Sequence, residues 1–107
     1  MKAINSLDQI NWRKKPMVEA CIRIAKEEKN IKKMIIFGSS VTDRCDENSD
    51  LDICLDMSTD LIGMETYNTL SRINKACDWN CDILFYDRLR GQIKKEIDQK
   101  GVIVYAS

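Results

Sequence analysis

The chain has 107 residues with 17 Lys and Arg, 17 Asp and Glu and no His, and this length predicts a single domain over residues 1–107 with one modest core. Zero net charge argues against a general nucleic-acid-binding protein, which is usually basic. The absence of His excludes His-based catalytic triads, His general bases and most zinc enzymes, so any chemistry has to come from carboxylates, Lys, Tyr, Ser or Cys.

The charges are distributed unevenly along the chain. Residues 1–33 carry nine basic and four acidic side chains, residues 34–70 carry one basic and eight acidic, and residues 71–107 carry seven basic and five acidic. An acidic middle between basic flanks is more informative than the neutral total.

The N-terminus and the cysteines favour a cytoplasmic protein. No apolar signal-peptide region follows Met1, and the longest apolar run, residues 34–37, is far too short to span a membrane. An odd number of irregularly spaced cysteines is a poor disulfide framework, so we expect reduced thiols that act as small apolar fillers. These are Cys21, Cys45, Cys54, Cys77 and Cys81.

In the first half of the chain, the pattern predicts one helix followed by two strands. Pro16 suits the first turn of a helix, after which apolar residues recur at helical spacing until about Asn30. Residues 32–37 resemble a short buried strand, which ends at a Gly-Ser-Ser turn. After a polar loop, residues 50–56 alternate between apolar and polar side chains, as a half-buried strand does.

The second half predicts two further helices and two strands. One helix can be capped within residues 58–60, and the other by Asp87, with Gly101 beyond its end. Residues 81–86 and 102–105 read as strands. The stripes that should face the core are Thr66, Leu70, Ile73 and Cys77 in the second helix and Leu89, Ile93 and Ile97 in the third. Strands interleaved with helices indicate a small α/β sandwich with one mixed sheet.

Three carboxylates form a candidate site. Asp50 and Asp52 are two residues apart on a strand, so both project from one face at a spacing of roughly 6.6 Å, which suits a hard divalent cation. Acids on a solvated sheet face are the alternative interpretation. Asp82 stands in an otherwise apolar strand and should face solvent or a partner. If the third strand lies beside the second, Asp82 falls next to the other two.

The turn after the first strand is a candidate phosphate site. Gly38 allows close approach of the backbone to a ligand, and the hydroxyls and amides of Ser39 and Ser40 can hold phosphate oxygens. A simple tight turn is the alternative. Three acids facing such a turn can support phosphoryl or nucleotidyl transfer, in which one acid accepts the proton of the attacking hydroxyl. The chain contains no P-loop and no Gly-x-Gly-x-x-Gly motif.

The order and spacing of these motifs resemble a known family. Ile-Ile-Phe-Gly-Ser at 35–39, a gap of ten residues and Asp-Leu-Asp-Ile at 50–53 look like the signature of the minimal nucleotidyltransferases of the polymerase-β-like superfamily. The strand at 81–84 and the ending at 101–105 are similar too, so the resemblance runs from about Pro16 to the end of the chain.

The resemblance implies a nucleotidyltransferase fold, in which helices pack on one side of a small mixed sheet. It also implies binding of ATP and of two Mg²⁺ ions. Carried over by position, Gly38 and Ser39 would hold the triphosphate together with Ser40. Asp50 and Asp52 would ligate the metal, and Asp82 would be the third acid, as ligand or general base. Many such proteins are antitoxins encoded beside a HEPN-domain toxin, and some transfer AMP to a tyrosine of that toxin.

The chain departs from the family pattern after Ser39. Members commonly carry Arg at the next position and Gly a few residues later, whereas this chain has Ser40 and Asp43 at these positions. We therefore keep two hypotheses: an adenylyltransferase acting on a HEPN-type toxin, and a protein of the same fold that neutralises its partner by binding. An antibiotic-modifying transferase is disfavoured, because no second domain supplies a substrate pocket. No membrane or nucleic-acid contact is expected, and a homo-oligomer is left open. The N-terminal segment with Ile4, Leu7, Ile10 and Trp12 could form an interface or pack on the core.

Overall fold

The computed structural model describes residues 7–43, 48–57 and 64–107, and none of the helices in these ranges has the length and apolarity needed to cross a bilayer. The predicted order of helices and strands is confirmed. The elements are α1 (Lys15–Glu27), β1 (Ile31–Phe37), β2 (Leu51–Met57), α2 (Met64–Ala76), β3 (Cys81–Phe85), α3 (Gly91–Lys100) and β4 (Val102–Ala106).

The four strands form one mixed sheet in the order β3-β2-β1-β4. β1 pairs antiparallel with both β2 and β4, whereas β2 and β3 run parallel. The parallel pair is connected through α2, as a parallel connection requires a crossover. In this register Asp52 of β2 lies between Phe37 of β1 and Asp82 of β3.

Helices cover both faces of the sheet, so the prediction that they pack on one side is wrong. α1 and α2 bury one face, through residues such as Cys21 and Ile73, whereas Ile97 of α3 packs on the other face against Ile35 and Phe37. The physical reason is visible in β1, where residues 34–37 are all apolar, because a strand that is apolar on both faces needs cover on both.

Helix α3 begins and ends differently from the prediction. Asp87 does not cap it but lies in a short 3₁₀ turn, Tyr86–Arg88, and the capping position is taken by Arg90. Gly101 does end the helix, donating its N–H to the Ile97 carbonyl at 2.8 Å. Its backbone is extended, and glycine is needed because a Cβ there would lie 2.5 Å from that carbonyl oxygen. The caps predicted at 58–60 lie outside the described residues.

The cysteines described by the structure are unbridged. Cys21, Cys54 and Cys77 are buried and Cys81 is half-buried, in agreement with their prediction as apolar fillers. Burial raises the pKa of the Cys54 and Cys81 thiols to about 12. These thiols therefore stay protonated and unreactive at neutral pH. Cys45 lies outside the described residues.

Candidate active site

The parallel pairing of β2 and β3 brings the three predicted acids to one end of the sheet. Asp52 and Asp82 are direct register partners, and Asp50 immediately precedes β2. Asp50 and Asp82 are exposed and Asp52 is half-buried. The expectation that Asp82 would fall beside the other two acids if β3 neighboured β2 is therefore confirmed.

Gly38 lies directly against Asp52. It follows Phe37, whose register partner is Asp52, and its φ of +72° is in the left-handed region that favours glycine. A Cβ on Gly38 would lie 2.2 Å from Asp52 Oδ2, which no real contact allows. The close approach of the turn backbone that the sequence suggested is thus made to a carboxylate of the candidate site.

The acids repel one another electrostatically. Burial raises the pKa of Asp52 above its usual value, and the carboxylates of Asp82 and Asp50 raise it further. A divalent cation would relieve this repulsion, and carboxylate oxygens are the ligands that Mg²⁺ prefers. Across the described residues, no three Asp, Glu or Cys side chains converge into a preformed metal cage. A cation shared by the three acids would therefore require their side chains to move closer together.

A groove opens beside the turn. Residues 38–41 form a 3₁₀ turn, and the Ser39 carbonyl accepts hydrogen bonds from both N–H and Oγ1 of Thr42, at 3.0 and 2.9 Å. The groove, which we call the Ser39 groove, has a volume of about 610 Å³. It is lined by Phe37, Gly38, Ser39, Val41, Thr42, Asp43, Glu96 and Lys100. This volume is within the range of small-molecule sites.

Lys100 was not predicted as a site residue. It is the last residue of α3 and supplies positive charge to the lining of the Ser39 groove. Local patterns offered no signal for it, because its approach to the turn depends on α3 crossing the face of the sheet opposite α1 and α2.

Ser40 is placed differently from its two neighbours. It is fully buried, its hydroxyl has no hydrogen-bond partner among the described residues, and it is absent from the lining of the Ser39 groove. Its backbone carbonyl accepts a hydrogen bond from the Asn11 N–H at 2.7 Å. The structure therefore brings Gly38 and Ser39 to the groove and turns the Ser40 side chain into the core. Contact of Ser40 with a nucleotide stays a prediction.

Taken together, the arrangement is suited to polyanion chemistry beside carboxylates. Hard oxygen ligands lie at one end of the sheet, the half-buried Gly38 turn lies against Asp52, and the adjoining groove is lined by Lys100 together with the acids Asp43 and Glu96. Such a constellation can hold a metal-bound polyphosphate and orient one of its phosphorus atoms toward an attacking hydroxyl.

Solved structures with the same fold include complexes of toxins with antitoxins. A toxin-antitoxin with AMP-PNP matches over 83% of this chain and 73% of that chain, at a TM-score of 0.68 and 16% identity. The toxin-antitoxin MntA-HepT matches over 85% of this chain and 71% of that chain, at a TM-score of 0.62 and 14% identity. A tri-AMPylated Shewanella oneidensis HEPN toxin in complex with MNT antitoxin matches over 89% of this chain and 73% of that chain, at a TM-score of 0.63 and 14% identity. At these identities the likeness shows the fold.

The family is shown by sequence. Among curated proteins none matches this chain. The model of the family described as "Polymerase beta, Nucleotidyltransferase" matches residues 19–107, which include β1, the Gly38 turn and all three acids. With most of its length matched, the chain belongs to the polymerase beta nucleotidyltransferase family.

Proposed function

We propose that this chain is a Mg²⁺-dependent nucleotidyltransferase that transfers AMP from ATP to a tyrosine hydroxyl of a HEPN-type toxin, and so acts as the antitoxin of a toxin-antitoxin pair. The observation that carries the proposal is the contact between Gly38 and Asp52, with Asp82 as the register partner of Asp52. This contact supports the proposal because it holds the Gly38 turn, which is proposed to bind phosphate, against the acids, as a transferase site requires.

Each residue has a role that its position supports. Asp50 and Asp52 are suited to hold Mg²⁺, which when bound neutralises charge on the triphosphate and on the departing pyrophosphate. Gly38 and Ser39 offer backbone N–H groups and a hydroxyl to the phosphates. Lys100, on the lining of the Ser39 groove, adds a positive charge for the same polyanion.

In the proposed reaction the tyrosine oxygen attacks the α-phosphorus of ATP. The bond between that phosphorus and the oxygen that bridges the α- and β-phosphates breaks. Pyrophosphate leaves, and AMP stays on the tyrosine. Asp82 is exposed and lies beside Asp52 at the same end of the sheet. It is therefore suited to accept the proton of the tyrosine hydroxyl or to complete the cation site.

The proposed partner follows from the fold and from the open site. The three acids lie at an end of the sheet where Asp50 and Asp82 are exposed, which leaves room for a protein acceptor. Structures that share the fold include toxin-antitoxin complexes, and one of these holds an AMPylated HEPN toxin. These likenesses support an acceptor of the same class for this chain.

The test is mass spectrometry of a HEPN-type partner co-expressed with this chain. We expect the intact mass of the partner to increase by one or more AMP groups, and the increase to disappear with Asp52→Ala. A matched control is Asp87→Ala, which removes an exposed acid from the 3₁₀ turn after β3. A partner of unchanged mass with every nucleoside triphosphate supplied would refute the proposed activity.

A second candidate function is neutralisation by binding alone. It is favoured by Ser40, which is fully buried at the position where related proteins commonly carry Arg. The two functions separate in cells: if the double variant Asp50→Ala/Asp52→Ala still protects against the toxin, binding suffices. If protection is lost while the complex still forms, the transfer reaction is required.

A further inference from the structure

The N-terminal segment makes direct contact with the turn of the candidate site. The Asn11 N–H donates to the Ser40 carbonyl at 2.7 Å, and Asn11 Nδ2 donates to the Thr42 carbonyl at 2.9 Å. Both acceptors belong to the segment that follows β1 and forms one side of the Ser39 groove. Asn11 therefore holds this segment by its backbone and by its side chain.

The same segment also holds the chain just before β2. Lys14 is 5% exposed, and its Nζ donates to the carbonyl oxygen of Ser49, the residue that precedes Asp50. Burying an ammonium group is costly, and a hydrogen bond from a charged donor is among the stronger ones. Lys14 is thus placed to fix the peptide that leads into the first acid.

Asn11 and Lys14 act from one short turn. The Lys14 N–H donates to the Asn11 carbonyl at 2.9 Å, and the Arg13 N–H donates to Asn11 Oδ1 at 3.0 Å. Ile10, just before this turn, is 2% exposed in the core with α1 and α2. The turn at residues 11–14 is therefore anchored. It contacts both ends of the connection between β1 and β2, which are the Gly38–Ser39 turn and the residue before Asp50.

We propose that Asn11 and Lys14 are positioning residues that set the Gly38–Ser39 turn and Asp50 relative to each other for binding of Mg·ATP. The inference rests on the proposed function. Neither residue lines the Ser39 groove: Lys14 acts through the Ser49 carbonyl on Asp50, and Asn11 acts through the Ser40 and Thr42 carbonyls on the turn. Residues 11–14 would then be part of the nucleotide site although they lie outside the strands that bear it.

The experiment measures the affinity of the full chain for Mg·ATP by calorimetry. Lys14→Met keeps a long apolar side chain and removes the ammonium, and we expect affinity to fall about tenfold. Lys26→Met, an exposed position on α1, is the control and should bind as the wild type does. In an Asp50→Asn background, Lys14→Met should add little further loss, because residues that act through one another are not additive.

Asn11→Asp provides a second, independent variant. It keeps the oxygen that accepts from the Arg13 N–H but replaces the donor to the Thr42 carbonyl with an oxygen, so affinity should again fall several-fold. Asn68→Asp on the exposed side of α2 introduces the same charge as a control. Raising the Mg²⁺ concentration should recover affinity in Lys14→Met, which acts through a metal ligand, and should leave Asn11→Asp weak.

The outcomes separate the two levels of the account. Wild-type affinity in folded Lys14→Met or Asn11→Asp overturns the positioning role, as does an equal loss from Lys14→Met with and without Asp50→Asn. If Lys14→Met does not fold, Asn11→Asp decides in the same way. A wild-type chain that does not bind Mg·ATP refutes the proposed function, and this inference with it, whereas binding by the wild type with unaffected variants refutes this inference alone.

Discussion

Replacing Gly38 with Ala tests the contact between the turn and Asp52. The new methyl group would occupy a point 2.2 Å from Asp52 Oδ2 and 3.2 Å from its Cγ. The backbone at this position has φ +72°, which an Ala adopts only at a cost. The substitution therefore strains the turn and also pushes a carboxylate of the site out of position.

The magnitude follows from two separate costs. Holding Ala in the left-handed region costs about 1–2 kcal/mol. The atom nearest the new methyl group is the end of a side chain, so Asp52 can rotate away, which costs about 0.5–1.5 kcal/mol if it leaves its preferred rotamer. We expect a loss in the free energy of unfolding of about 1.5–3.5 kcal/mol, together with a loss of Mg·ATP affinity.

Gly91 offers a matched control. Its φ is +64°, close to that of Gly38, but a Cβ there would meet nothing within 4 Å. Gly91→Ala should therefore lose only about 1–2 kcal/mol of stability, from backbone strain alone. The assay is chemical denaturation of both variants beside calorimetric titration with Mg·ATP. Gly38→Ala should lose binding at least tenfold, and Gly91→Ala should keep it.

Two results would refute this reasoning. If Gly38→Ala binds Mg·ATP as tightly as Gly91→Ala does, the position of Asp52 against the turn does not matter for the site. If Gly38→Ala loses the same amount of stability in an Asp52→Ala background, the carboxylate is not what the methyl group displaces, because removal of that side chain should relieve its share of the cost.

Three further predictions concern charge and packing. Burial and the carboxylates of Asp82 and Asp50 raise the pKa of Asp52, so the contribution of Asp52 to stability should fall as pH rises from its ordinary pKa of 3.8 through the higher folded-state pKa. Thermal melts of Asp52→Asn should therefore show a flatter pH profile than the wild type and a higher melting temperature at pH 7. Lys100→Gln should weaken ATP binding about three- to fivefold in calorimetry, whereas Lys95→Gln, exposed on the same helix, should not. Ile97→Ala should cost about 2–5 kcal/mol in urea unfolding, since this side chain is 2% exposed between α3 and the sheet.

The acids and the Gly38 turn could be predicted because local patterns define them. The strict alternation around Asp52 indicated a strand with both Asp50 and Asp52 on one face, and the break after Phe37 indicated a turn. Placement of Asp82 needed one further assumption, that β3 lies beside β2, and the parallel register bears it out.

The groove wall and the N-terminal contacts could not be predicted in this way. Lys100 and Ser39 are far apart in sequence, and their shared groove depends on the face of the sheet that α3 covers. Lys14 belongs to the basic run 13–15, and lysines are rarely buried, yet tertiary packing buries it, and its Nζ donates to the Ser49 carbonyl. Of the two uses considered for the N-terminal segment, packing on the core is confirmed for Ile10, which is buried. Trp12 is 69% exposed, and its place in an interface stays a prediction.

The central claim is that this site transfers the nucleotidyl group of ATP to a partner protein. The most direct measurement incubates the purified chain and its HEPN-type partner with ATP labelled on either the α- or the γ-phosphate and follows label on the partner. The account predicts stable label from the α-phosphate, none from the γ-phosphate, and none from either with Asp52→Asn. Label from the γ-phosphate, or α-label that persists in Asp52→Asn, would contradict it.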